Sequence, residues 1–123
     1  MKIIFNFLIS ISSLFISCKS ENKNEVISSV HSASLQITVL HENNNHLLKP
    51  LSAVTVFLFL TEDDRTQNQN VKFTGTVNDS GKISFNKLPD EYYFIMTSHA
   101  VYGIKKSETA TPNNSVSYEE IDY

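Results

Sequence analysis

Short segments in which apolar and polar residues alternate recur along this chain from residue 35 to residue 100. In KISFNKL (residues 82–88), Ile83 and Phe85 alternate with polar neighbours, and turn residues stand on either side. Successive side chains of a β-strand point to opposite faces of its sheet, so a period of two predicts strands with one buried face. No window has a convincing helical period. The chain is therefore predicted to be all-β, with short strands separated by turns.

Seven segments have the composition of strands. Their predicted limits are 35–42, 53–61, 71–78, 82–88, 92–99, 101–109 and 116–123, and the last could equally be a frayed tail. Residues 43–50 are interpreted as a turn-rich connection and residues 62–70 as a polar loop. The predicted inward-facing residues of the alternating segments are Leu35, Ile37, Val39, Val71, Phe73, Val77, Ile83 and Phe85, with Leu88 closing its strand.

The N-terminus has the pattern of an export signal. Lys2 precedes a mostly apolar stretch, residues 3–16, and the only cysteine of the chain, Cys18, follows shortly after. A helix of that length would reach roughly 21 Å, which is short of the roughly 30 Å hydrocarbon core of a bilayer. The stretch therefore predicts a cleaved signal and not a lasting membrane span.

The residues LFIS before Cys18 resemble the lipoprotein box of bacterial lipoproteins, with the small Ser17 directly before the cysteine. The resemblance implies that the signal peptide, residues 1–17, is removed and that Cys18 is lipidated on its sulfur and acylated at its new amino terminus. Two or three acyl chains hold a protein stably to a membrane. Residues 18–33, polar after the cysteine, are predicted to be a flexible tether to a domain at 34–123. Because no Asp follows Cys18, we expect the lipoprotein to be sorted to the outer membrane. It could face either the periplasm or the cell surface.

Composition restricts what the mature chain can be. Removing residues 1–17 leaves 106 residues, enough for one domain, with nine Lys and Arg against 13 Asp and Glu, so the net charge is 9 − 13 = −4. That balance argues against nucleic acid as a partner. With Cys18 lipidated, no disulfide can form within the chain, so the domain must rest on its core alone. Glycine and proline number three each, which predicts that Asn, Asp and Ser form most turns.

The segment TGTVNDSGKISFNKLPDEYYFI (residues 74–95) resembles the carboxypeptidase regulatory-like and collagen-adhesin B-type domains. Asp79 and Gly81 match the turn of that pattern, Leu88 precedes the proline that ends the strand, and Tyr93 and Ile95 match its Tyr-x-Leu positions. The resemblance implies a transthyretin-like β-sandwich of about seven strands. Some collagen-adhesin domains form an isopeptide bond from a lysine early in their first strand. LQITVLHE has no lysine, so we expect no such bond here.

No motif predicts an enzyme. HENNNH (residues 41–46) places its histidines five apart, whereas the zinc-protease motif on a helix needs them four apart. The acidic run at 62–64 lacks the alternating oxygen ligands of a calcium loop and is interpreted as solvated charge. The sequence has no nucleophile elbow, no Ser-His-Asp order and no glycine-rich phosphate loop. We therefore expect no catalytic residues, no metal and no cofactor.

An excess of aromatic side chains gives the one candidate interaction surface. If Val54, Val56, Leu58 and Leu60 of one strand and Tyr93 and Ile95 of another face the core, their neighbours face outward. The resemblance to the collagen-adhesin and carboxypeptidase regulatory-like domains implies that these two strands lie side by side in one sheet. The resulting outer aromatic strip consists of Phe57, Phe59, Tyr92, Phe94 and Met96. Either the chain itself covers this strip, with residues 101–106 or the tail at 110–123, or a partner binds there.

Together these patterns predict a non-enzymatic lipoprotein of the cell envelope that acts as a binding or structural module for another protein. The alternative is a lipoprotein that binds a small ligand, such as a sugar or a peptide, through its aromatic face. A cleft with polar lining would favour the small ligand, and a flat aromatic patch would favour the protein partner.

Overall fold

The structure is a computed structural model that describes residues 30–123, so the predicted signal peptide, Cys18 and most of the predicted tether lie outside the described residues. His31–Tyr123 form one compact unit. Its elements are eight strands and one short helix: β1 (Ala33–Glu42), β2 (Leu48–Pro50), β3 (Thr55–Phe59), α1 (Glu62–Gln67), β4 (Phe73–Thr76), β5 (Lys82–Leu88), β6 (Tyr92–His99), β7 (Gly103–Ala110) and β8 (Val116–Asp122).

The strands form two four-stranded sheets, which confirms the predicted all-β sandwich. In the first sheet β1 is central: β5 and β2 pair antiparallel with successive parts of β1, and β8 pairs parallel with it. The second sheet is antiparallel throughout, in the order β4-β3-β6-β7. The strand beyond the expected seven is β2, which folds back on the end of β1 within the predicted connection. Proline is tolerated at its end because β2 is a short edge strand.

The core lies between the two sheets and consists of the residues that alternate along the strands. Most of the predicted inward positions are confirmed, and Val71 is the exception, 38% exposed because β4 begins only at Phe73. Ile83 and Phe73 are partly buried against the core. The fully or almost fully buried apolar side chains include Leu35, Ile37, Val39, Val54, Val56, Leu58, Phe85, Leu88, Tyr93, Ile95 and Ile121.

The turn between β4 and β5 explains why its glycine is needed. Gly81 has φ of +76°, and a Cβ placed there would lie 2.5 Å from the carbonyl oxygen of Val39. The Gly81 carbonyl in turn accepts the Val39 N–H at 2.7 Å, so the turn is held directly against β1. Asn68, Asn70 and Asn114 also adopt positive φ, in line with the predicted use of asparagine where glycine is scarce.

The predicted polar loop at 62–70 is wrong for its first part, because residues 62–67 form α1. Thr61 caps the helix: its Oγ1 accepts the Asp64 N–H at 3.0 Å. Three acidic residues fill the first turn, where the positive end of the helix dipole stabilises their negative charges. The helix ends at Asn68 in the left-handed conformation. Among the described residues, no helix is long and apolar enough to span a bilayer.

Candidate interaction surface

The register of β3 and β6 brings the outer aromatic strip together. Phe57 pairs with Met96 and Phe59 with Phe94, so these side chains and Tyr92 share the face of the second sheet that points away from the core. The two strands are hydrogen-bonded neighbours, as the resemblance implied. The rings of Tyr92 and Phe94 meet edge to face, with centroids 5.4 Å apart.

The five residues of the strip differ in how accessible they are. Phe59 is fully buried and Met96 is 6% exposed, so neither can contact a partner in this conformation. Phe57 and Phe94 are partly buried. Tyr92 is 42% exposed and is the most accessible ring of the strip. The accessible surface is therefore an edge of the predicted patch, centred on Tyr92.

The cover over the strip comes from α1, and neither of the two covers expected from the sequence supplies it. Arg65 is only 7% exposed, and its guanidinium carbon lies 5.3 Å from the centroid of the Phe94 ring. Its Nη1 donates to the carbonyl oxygen of Ser107 at 2.5 Å and lies 3.5 Å from Glu108 Oε1. A guanidinium over an aromatic face is attracted by the ring quadrupole. Arg65 thus fastens α1 to β6 and β7.

The predicted tail at 110–123 lies in the other sheet. Its residues form β8, where Ile121 enters the core and Tyr118, 72% exposed, points away from it. Residues 101–106 form the turn before β7 and the start of that strand. The expectation that either segment covers the outer aromatic strip is therefore wrong.

A second group of rings lies at the end of the sandwich where β1 stops and β6 turns into β7. The Tyr102 ring stacks on His41 and on His99, with centroid distances of 5.4 Å and 5.0 Å. The Tyr123 hydroxyl lies 2.8 Å from Thr97 Oγ1 and donates to the Gly103 carbonyl at 3.0 Å. His41 belongs to HENNNH in the sequence, and no pattern there predicts this cluster of rings.

The titratable groups of the described residues do not converge on a reaction centre. Burial raises the pKa of Tyr93 to about 12, and its hydroxyl donates to Asp90 Oδ2 at 3.2 Å. A hydrogen bond with the neighbouring Asp122 side chain raises the pKa of Glu120 on β8. The Asn70 side-chain amide lowers the pKa of Asp64 on α1. These groups lie on separate elements.

Residues 30–123 enclose no cavity for a small molecule and no cluster of metal-ligating side chains. No three of their His, Cys, Asp and Glu side chains lie close enough together to hold a metal ion. His46, from HENNNH, instead pairs with Glu42 through Nδ1 at 2.8 Å, on an exposed turn.

Solved structures with this fold include three bacterial proteins. The TIE protein of Bacillus anthracis has a TM-score of 0.56 at 17% identity, and the similarity covers 75% of this chain and 16% of that one. The minor pilin GBS52 of Streptococcus agalactiae has a TM-score of 0.58 at 13% identity, covering 75% and 44%. A Pseudomonas aeruginosa protein, whose carbohydrate binding is itself only proposed, has a TM-score of 0.55 at 10% identity, covering 82% and 96%.

This chain thus spans 16% of the TIE protein and 44% of the pilin. At such identities the similarity shows the fold alone. No protein-family model matches the sequence, and no curated protein matches it either. The fold that these three proteins share with this chain is a β-sandwich.

Proposed function

We propose that this chain is a non-enzymatic module of the bacterial envelope, held to the outer membrane through lipid on Cys18, whose sandwich binds another protein. The observation that carries the proposal is the accessible edge of the outer aromatic strip at Tyr92, on a part of the chain without a pocket. Tyrosine is enriched at the centres of protein interfaces because it combines a large apolar ring with a hydroxyl. The minor pilin with the same fold supports a structural role.

Photo-crosslinking in cells that produce the full chain tests this proposal. A photoreactive phenylalanine analogue replaces Tyr92 in one variant and Tyr118 in a matched control, because Tyr118 is also an exposed tyrosine but lies on the other sheet. We expect one discrete protein adduct from position 92 and none from position 118. Added wild-type chain should compete the adduct away, whereas the Tyr92→Asp chain should not. Equal labelling from both positions would contradict the proposal.

A second variant in the same experiment tests the lipid anchor separately. In Cys18→Ser no thiol remains for lipidation, since Cys18 is the only cysteine. We expect this variant to leave the membrane fraction while its purified domain still competes for the adduct. Retention of Cys18→Ser in the membrane would contradict the anchor without touching the protein-binding role.

A small ligand such as a sugar or a peptide is the second candidate. It is favoured by the similarity to the Pseudomonas aeruginosa protein, nearly all of which this chain spans. The ligand would then lie across Tyr92 and Phe94 on an open surface. The crosslinking experiment separates the two candidates, because loss of Tyr92 labelling with added oligosaccharide or peptide, and no protein adduct, would favour the small ligand.

A further inference from the structure

The turn between β6 and β7 has an unusual composition. Its residues and the start of β7 read AVYGI (residues 100–104), five consecutive residues without a charged or amide side chain, and all five are exposed. Val101 is 77% exposed, Tyr102 52% and Ile104 57%. Hairpin turns usually contain Asn, Asp, Gly or Ser. A run of exposed apolar residues lowers solubility, so its presence in a turn indicates a function. We call these five residues the apolar tip.

The apolar tip is held in one conformation. Nδ1 of His99 accepts the N–H of Val101 at 3.1 Å and that of Tyr102 at 3.2 Å. The Tyr102 ring rests on two imidazoles, as described above, and the Gly103 carbonyl accepts the Tyr123 hydroxyl. The turn therefore needs no burial of its apolar side chains to keep its shape, and those side chains remain available for contact.

Two lysines follow the tip directly. Lys105 and Lys106 are both exposed, and they lie next to Ile104 at the start of β7. Apolar side chains flanked by lysines suit the boundary of a bilayer with anionic headgroups, where the apolar groups enter the acyl region and the ammonium groups attract phosphates. Tyrosine is enriched at the same depth because its hydroxyl remains hydrated.

From these observations we propose that the apolar tip inserts into the surface of an anionic lipid bilayer. The two lysines beside the tip favour an anionic bilayer surface over a protein as the partner. The tip offers five exposed residues at one turn of the domain. This surface is separate from Tyr92, so the inference goes beyond the proposed binding of another protein.

The absence of tryptophan from the chain makes the proposal directly measurable. Val101→Trp places a single fluorescent reporter on the tip, and Tyr118→Trp places one on an equally exposed site of β8. The full chain is reconstituted with vesicles of phosphatidylethanolamine and phosphatidylglycerol, with or without brominated lipid. We expect emission from Val101→Trp to shift to shorter wavelength and to lose intensity to the bromine. Emission from Tyr118→Trp should do neither, even though the same chain is present.

A charge variant tests the role of the lysines in the Val101→Trp background. Lys106→Glu should reduce the quenching on anionic vesicles, whereas Lys87→Glu, an exposed lysine on β5, should leave it unchanged. Equal, or no, quenching of the two tryptophans would overturn the proposal. A blue shift without quenching would overturn it as well, and if that shift grew with protein concentration, a second copy would be the partner. Because no partner protein is present, the result is independent of the crosslinking test.

Discussion

At the scale of single residues, Arg65 decides how the outer face of the second sheet meets solvent. One buried guanidinium contacts the Phe94 ring, the Ser107 carbonyl and, more loosely, the Glu108 carboxylate. Phe59 is fully buried on the face that sequence periodicity assigned to solvent. A short helix held by one side chain has therefore converted most of an exposed aromatic patch into a second, smaller packed layer.

Replacement of Arg65 should uncover that layer. Arg65→Ala removes a charge-assisted hydrogen bond and the ring contact, and we expect it to lower the free energy of unfolding by about 2 kcal/mol. Lysine cannot stack its charge flat on a ring, so Arg65→Lys should retain only part of the stability that Arg65→Ala loses. Urea denaturation gives the change in stability, and binding of an apolar dye reports the exposure of the strip.

Gln67→Ala is the matched control for that series, because Gln67 is exposed on the same helix. It should change stability by less than about 0.5 kcal/mol, as is usual for surface positions. If Arg65→Ala behaved like Gln67→Ala and bound no more dye, Arg65 would not be what holds α1 on the sheet.

At the scale of elements, the strands were predictable and the helix was not. The period of two in KISFNKL sets the limits of β5 correctly, since burying Ile83 and Phe85 on one face leaves a single register. The six residues of α1 are too few for a hydrophobic period, and an isolated helix that short is unstable. Its one local signal is Thr61 followed by three acidic residues, a capping pattern. Its anchoring contact, Arg65 to Phe94, is tertiary and has no signature in the sequence.

The two interaction surfaces were also only partly predictable from the sequence. Alternation correctly assigned Phe57 and Tyr92 to the outer face, but it could not reveal that Phe59 would be covered. Four of the five residues of the apolar tip, 101–104, fall within the predicted strand 101–109, because β-branched and aromatic residues also suit a strand. Only the position of the turn, with β6 ending at His99 and β7 beginning at Gly103, shows that these side chains are exposed.

Two glycines with similar backbone angles allow the turn between β4 and β5 to be tested. Gly81 and Gly103 have φ of +76° and +86°, but only at Gly81 would a Cβ meet other atoms, the nearest at 2.5 Å. Gly103→Ala should cost about 1 kcal/mol, the usual penalty for a side chain in this region. Gly81→Ala should cost at least roughly twice that, because the Val39 carbonyl of β1 must also move. Chemical denaturation of both variants measures the difference, and equal losses would mean that the turn does not press on β1.

At the scale of the whole molecule, the sandwich depends on a contact between the two ends of the domain. β8 pairs with β1 from Ser34 to Leu40, along most of the central strand of the first sheet. Ile121 adds to the core, and Tyr123 reaches across to the second sheet through its hydroxyl. The last strand therefore completes the fold around the first one, and residues far apart in sequence must meet before either sheet is stable.

Removal of residues 113–123 should therefore abolish cooperative folding, since it strips one edge of β1 and opens the core beside Val39. We expect the truncated chain to lose near-ultraviolet circular dichroism, and a synthetic peptide of residues 113–123 to restore it by pairing with β1 as a separate strand. The same peptide carrying Ile121→Asp should fail, because it would place an unpaired charge in the core. Tyr118→Asp should succeed, since Tyr118 is 72% exposed on the outer face of β8. A truncated chain that unfolded cooperatively at the wild-type midpoint would contradict this account, because β1 would then need no parallel neighbour.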